Sequence, residues 1–106
     1  MKAELPQRAA IVVLGPRALP LARRLQRQLR GAEIVEAQTG AMALFRSLFK
    51  AGRPIVGICA AGIVIRALAP LIKDKTSEPP VVAVAEDGSV TVPLLGGHHG
   101  DRKSVV

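Results

Sequence analysis

The sequence has very few aromatic side chains: two Phe, no Tyr and no Trp in 106 residues. Any core must therefore be aliphatic. The same lack removes the stacking platforms on which single-stranded nucleic acid is usually held. Cysteine is almost missing too. The one thiol, Cys59, lies in an apolar run, so neither an intrachain disulfide nor a multi-cysteine zinc site can form. A reducing, cytoplasmic setting fits that usage. Residues 1–7 contain no signal-like apolar stretch. No run approaches the ~18 apolar residues that a membrane helix needs, so secretory and spanning readings fall away. Acidic groups are scarce, 8 against 15 Lys and Arg, giving a net charge of +7. Six of those seven charges lie in residues 1–50, which hold nine Lys or Arg and three Glu. Such a balance serves solubility, or it meets an anionic partner such as nucleic acid or a polycarboxylate.

What is present is a chain that should fold. It is 49% hydrophobic and 22% charged, long enough for one domain with one core. Arg8 to Gly15 is a β-branched apolar run that stops at Gly15-Pro16. It is apolar on both faces, as a buried parallel strand is. In Leu19 to Arg30, Ala22, Leu25 and Leu29 recur at helical spacing, with arginines mostly opposite and Gly31 as a stop. Ala32–Glu36 reads as a second strand. Ala41–Lys50 reads as a second helix, with Thr39 as its N-cap and Gly52 as its end. Pro54–Cys59 is a third strand. Ala60–Lys73 is a third helix, entered through small residues and kinked or ended by Pro70. Val81–Ala85 and Ser89–Leu95 are strands joined across Glu86-Asp87-Gly88, a hairpin signal, with Pro93 marking an edge. This order predicts a three-layer α/β sandwich: a mainly parallel five-stranded sheet, helices on both faces and a C-terminal hairpin. Residues 1–106 read as a single α/β domain. Its glycine-rich turn at 96–100 is followed by only six residues, too few for a normal closing helix. Either the chain is truncated after Gly100 relative to a longer protein, or its end departs from what the turn prepares.

Open parallel sheets bind ligands beyond the carboxyl ends of their strands, and three turns are candidates. They are Gly15-Pro16-Arg17, Cys59-Ala60-Ala61-Gly62 and Gly96–Gly100. Gly62, Gly96 and Gly97 would let a ligand approach the backbone. His98 and His99, the only histidines, offer imidazole as general base. Two histidines and one buried cysteine make a poor metal set, so no metal site is expected. Lys73 and Lys75 suit the negative end of the third helix, or a cationic rim for carboxylates. Arg66, inside an otherwise apolar helix, either grips a carboxylate or lies on the exposed stripe. Glu86-Asp87 reads as turn chemistry and Cys59 as a small buried hydrophobe. The five arginines from Arg17 to Arg30 form a solvated face or a weak nucleic-acid footprint.

From Gly57 to Gly100 several motifs follow in order: RALAPLIKDK at 66–75, EPPVV at 78–82, EDG at 86–88 and PLLGGHHG at 93–100. This stretch resembles the N-terminal domain of the cobalt-precorrin-5A hydrolase family of cobalamin biosynthesis. The first half matches only in its pattern of elements. The resemblance implies opening of the δ-lactone of a cobalt-corrinoid, with acetaldehyde released. His98 or His99 would be the base and the Gly96 and Gly97 amides the oxyanion donors. Arg66, Lys73, Lys75 and Arg17 would hold substrate carboxylates. Cobalt enters only as part of the substrate, and no further cofactor is implied. The family continues past its HHG-like turn into an acidic helix, where this chain reads DRKSVV, and into a middle region and a C-terminal domain. Partners implied are therefore the corrinoid, a C-terminal hydrolase domain or a precorrin-3B methyltransferase domain, and a second copy of the chain. The alternative is a non-catalytic corrinoid-binding or scaffold module, and the third reading is nucleic-acid binding.

Overall fold

A computed structural model describes residues 8–37, 39–72 and 78–95. Five strands form one sheet: β1 (Ala10–Val13), β2 (Glu33–Glu36), β3 (Ile55–Ile58), β4 (Val81–Val84) and β5 (Thr91–Leu95). Their order is β2-β1-β3-β4-β5. The first four are parallel, in a register that starts level: Ala10 pairs with Glu33 and Ile55, and Ile55 with Val81. β5 turns back antiparallel, so Thr91 faces Val84 and Leu95 faces Val81.

The helices are α1 (Leu19–Gln28), α2 (Ala41–Lys50) and α3 (Ala61–Leu68). Alternation along the strands sorts them onto the two faces. Ile11, Val13, Ile58 and Val84 pack with Leu21 and Ala22 of α1. Ala10, Val12, Ile55, Val81 and Ala83 face Phe45 and Leu48 of α2 and Val64, Ala67 and Leu68 of α3. The predicted three layers are thus present. Phe45, one of only two aromatic residues, is fully buried at the centre of the larger layer. Gly57 of β3 makes room for it: a Cβ there would sit 3.2 Å from the Phe45 ring and from a Val64 methyl. No polar or charged side chain is buried among the described residues.

The ends of the elements refine the expectations. The second helix is not capped by Thr39. Its N-cap is Gly40, at φ 70°, with no side-chain hydrogen bond. A left-handed backbone there favours glycine, and it takes the place that a threonine cap would have held. The third helix stops at Leu68 and passes into a 3-10 turn, Ala69–Leu71, which contains Pro70. Proline lacks the N–H and crowds the preceding turn, so the α-helical ladder cannot continue. The hairpin is closed by Gly88 at φ 79° and by Asp87, whose Oδ1 accepts the Ser89 N–H at 2.9 Å. The Ser89 side chain, and then this N–H, hold the exposed Asp87 carboxyl below its ordinary pKa. Ala85 N–H donates to the Val90 carbonyl, so alternate residues of β5 turn their backbone groups outward, Pro93 among them. The missing donor therefore lies on the free edge, where it blunts pairing with another strand.

Candidate functional site

The strand order places a switch point between β1 and β3. The chain leaves β1 toward β2 by way of α1 on one face. It leaves β3 toward β4 by way of α3 on the other. The two connections part above the carboxyl ends of β1 and β3, which opens a crevice. A cleft of about 480 Å³ lies there. β1 contributes Leu14, and the end of β3 contributes Ile58 and Cys59. Ala60, Ala61 and Ile63 bring in the start of α3. Ala83, Ala85 and Glu86 come from β4 and its turn, and Val90 and Val92 close the far wall. Small side chains at 60 and 61 keep the floor open. A second hollow of about 100 Å³, beside Gly15, Pro16 and Glu36, marks the end of the first predicted turn.

The cleft is apolar, with two ionisable side chains among its lining residues. Cys59 is half-buried, and burial pushes its thiol up to about 11. It is protonated at neutral pH and is no ready nucleophile, which agrees with its reading as a small hydrophobe. Glu86 is exposed at the mouth. The sequence pointed to it only as turn chemistry. Its place in the cleft arises because β4 ends level with Ile58, which parallel pairing sets and local sequence does not. Among the described residues, no group of three His, Cys, Asp or Glu could hold a metal ion. No described helix is long and apolar enough to cross a membrane.

The three described residues among the sequence-predicted site residues divide between the two edges of the sheet. Arg17, in the 3-10 turn Pro16–Ala18 after β1, and Gly62, at the start of α3, are exposed at the carboxyl edge. Arg66 is exposed on the last turn of α3, toward the amino edge, and does not line the cleft. Lys73, Lys75, Gly96, Gly97, His98 and His99 lie outside the described residues. Their described neighbours are informative. Ile72 caps the 3-10 turn after α3, within the crossover from β3 to its parallel neighbour β4. Glu78 precedes Pro80, whose carbonyl accepts the Ile55 N–H at the foot of β3. Leu95, opposite Val81, is at the same edge. With four residues per strand at ~3.3 Å each, the two edges are roughly 10–13 Å apart.

A family model described as "Cobalamin synthesis G N-terminal" matches residues 43–104. The chain belongs to this family. The matched stretch starts in α2 and contains the motifs at 66–75, 78–82, 86–88 and 93–100. The chain is 33% identical over 110 residues to the cobalt-precorrin-5A hydrolase of Salmonella typhimurium. That match covers 94% of this chain and 31% of the relative. The Priestia megaterium enzyme of the same name is 37% identical over 57 residues, covering 54% of this chain and 15% of the relative. The chain thus spans about a third of the length of the Salmonella relative. In fold it matches a crystal structure of a cobalamin biosynthesis protein G homolog from Sulfolobus solfataricus, with a TM-score of 0.71. That pair is 21% identical, over 88% of this chain and 30% of the other.

Proposed function

We propose that this domain serves the opening of the δ-lactone of cobalt-precorrin-5A, with release of acetaldehyde, as part of a hydrolase of cobalamin biosynthesis. Family membership supports the pathway. The observation that carries the reading in this chain is the gathering of flanking residues at one edge of the sheet. Glu78 follows the segment with Lys73 and Lys75, Leu95 precedes the segment with His98 and His99, and both lie toward the amino edge, to which the last turn of α3 with Arg66 also runs. Lysines and an arginine suit the carboxylates that rim a corrinoid. His98 or His99 takes a proton from water as general base. The resulting hydroxide attacks the lactone carbonyl, and the Gly96 and Gly97 N–H groups stabilise the charge that develops on its oxygen. Collapse breaks the acyl–oxygen bond and leaves a carboxylate and an alcohol; loss of the alcohol proton then lets the adjacent carbon–carbon bond break, so that two carbons leave as acetaldehyde while the bonding pair stays on the macrocycle and is protonated there. The cobalt belongs to the substrate.

The test is a titration of the protein with cobalt-precorrin-5A, followed by corrinoid absorbance and by coupled detection of acetaldehyde. In the form that turns over, replacing His98 and His99 together by Ala should lower the rate at least ~100-fold while binding holds. Unchanged turnover would remove the histidines from the mechanism. Because the chain spans 31% of its Salmonella relative, a second reading is a substrate-holding module. Binding without acetaldehyde release, even when the rest of the hydrolase is supplied, would favour it.

A further inference from the structure

The carboxyl-edge cleft has no part in the chemistry proposed above, and its lining defines what it accepts. The walls are aliphatic or alanine, and the one thiol stays protonated. Glu86, exposed at the mouth, has no ion pair or hydrogen bond among the described residues. The lining therefore presents a single charge, negative, in a chain of net +7. An anion entering it would shed water, meet no cation among the described lining residues and face Glu86, so this lining disfavours a polycarboxylate. The hairpin wall of the cleft stays open to solvent, with Val90 55% and Val92 37% exposed. The open edge of β5 beside it is blunted by Pro93, so the partner engages by side chains and not by strand addition. The Salmonella relative and the Sulfolobus chain each carry about twice as much further polypeptide as the part matched here.

We propose that this cleft docks a polypeptide segment, from the further region that such relatives carry, which presents a branched aliphatic side chain beside a lysine or arginine. The aliphatic group enters the cavity between Leu14, Ile58 and Val92, and the cation meets Glu86. This inference stands apart from the lactone chemistry and survives its failure.

The experiment is an amide NMR titration of the ¹⁵N-labelled protein with three probes: Ac-Leu-Lys-NH2, Ac-Leu-Glu-NH2 and isopentanol. The Leu-Lys peptide should shift the Ala60, Ala61 and Val92 amides. It should bind about 3-fold more tightly than the Leu-Glu peptide, a modest ratio because Glu86 is solvated. Glu86→Gln should make the two peptides equal. Ala61→Leu, which narrows the cavity, should abolish both. Equal affinities for the two peptides in the unaltered protein, or no shift at Ala60 and Ala61, would overturn the proposal. Isopentanol binding as tightly as the Leu-Lys peptide would overturn it too, by assigning the cleft to a small apolar ligand.

Discussion

Gly57→Ala is the sharpest probe of how this core is assembled. The new Cβ would lie 3.2 Å from Phe45 Cε1, 3.2 Å from Phe45 Cζ and 3.2 Å from Val64 Cγ2. Both neighbours are fully buried, so neither ring nor methyl has solvent to retreat into. Overpacking of a tight core costs about 1–3 kcal/mol. Against that, the Gly57 backbone does not require glycine, since its φ is not positive. Alanine there restricts the unfolded chain and returns about 0.4–1 kcal/mol. The steric term wins, leaving a net loss of about 1 kcal/mol and a fall in Tm of roughly 4–6 °C for a domain of this size. Thermal unfolding by circular dichroism and the urea midpoint measure it. A double-mutant cycle with Phe45→Leu tests the cause. Leucine lacks the ring atoms that the Cβ meets, so in that background Gly57→Ala should become neutral or stabilising. The coupling between the two sites should be about 1 kcal/mol or more. A Gly57→Ala protein with raised Tm, or the same cost in both backgrounds, would refute the argument.

Two further outcomes follow from bonds and burial. Arg53 donates to the Glu33 carboxylate at 2.8 Å and to the Arg8 carbonyl at 3.0 Å, tying the feet of β1, β2 and β3 together. Arg53→Ala should cost about 1 kcal/mol in urea unfolding, and Arg53→Lys should not restore it, because one ammonium cannot reproduce the forked geometry. Burial pushes the Cys59 thiol up to about 11, above the ordinary range. The folded state therefore holds that proton more tightly than the unfolded state does. Its contribution is fully present below about pH 8.5 and is lost as pH rises toward 11. Urea midpoints between pH 8 and pH 10.5 should fall, and Cys59→Ala should flatten part of that fall; an identical slope in the variant would refute the assignment.

The elements were readable because local composition and tertiary demand agree. A strand buried on both faces must be apolar throughout, and Ala10–Val13, Ile55–Ile58 and Val81–Val84 are. Their order was not readable. Nothing local says that β1 lies between β2 and β3, since that follows from two crossovers leaving β1 and β3 in opposite directions. The cleft depends on that order. Its small-residue floor, Cys59-Ala60-Ala61, stands out in the sequence as a turn. Its walls come from Leu14, Ala85 and Val92, which are far apart in sequence and chemically ordinary. Thr39 as a cap failed for a comparable reason: the residue type was suitable, but Gly40 in a left-handed conformation sets the helix start.

The hairpin decides which edge of the sheet the chain reaches after β5. The Asp87-Gly88 pair signals a hairpin, a hairpin makes the strand after it antiparallel, and an antiparallel last strand ends at the foot of its parallel neighbours. The rule that ligands bind at carboxyl ends holds for β1 to β4. For β5 it points to the opposite edge, because the carboxyl end of β5 is level with Val81. Leu95 therefore lies at the edge opposite the turns at Gly15 and Cys59. Leu95 and Pro80 border the amino edge, while the apolar cleft occupies the carboxyl edge. The proposed division follows from it: lactone chemistry at the amino edge, and a polypeptide partner seated at the carboxyl edge.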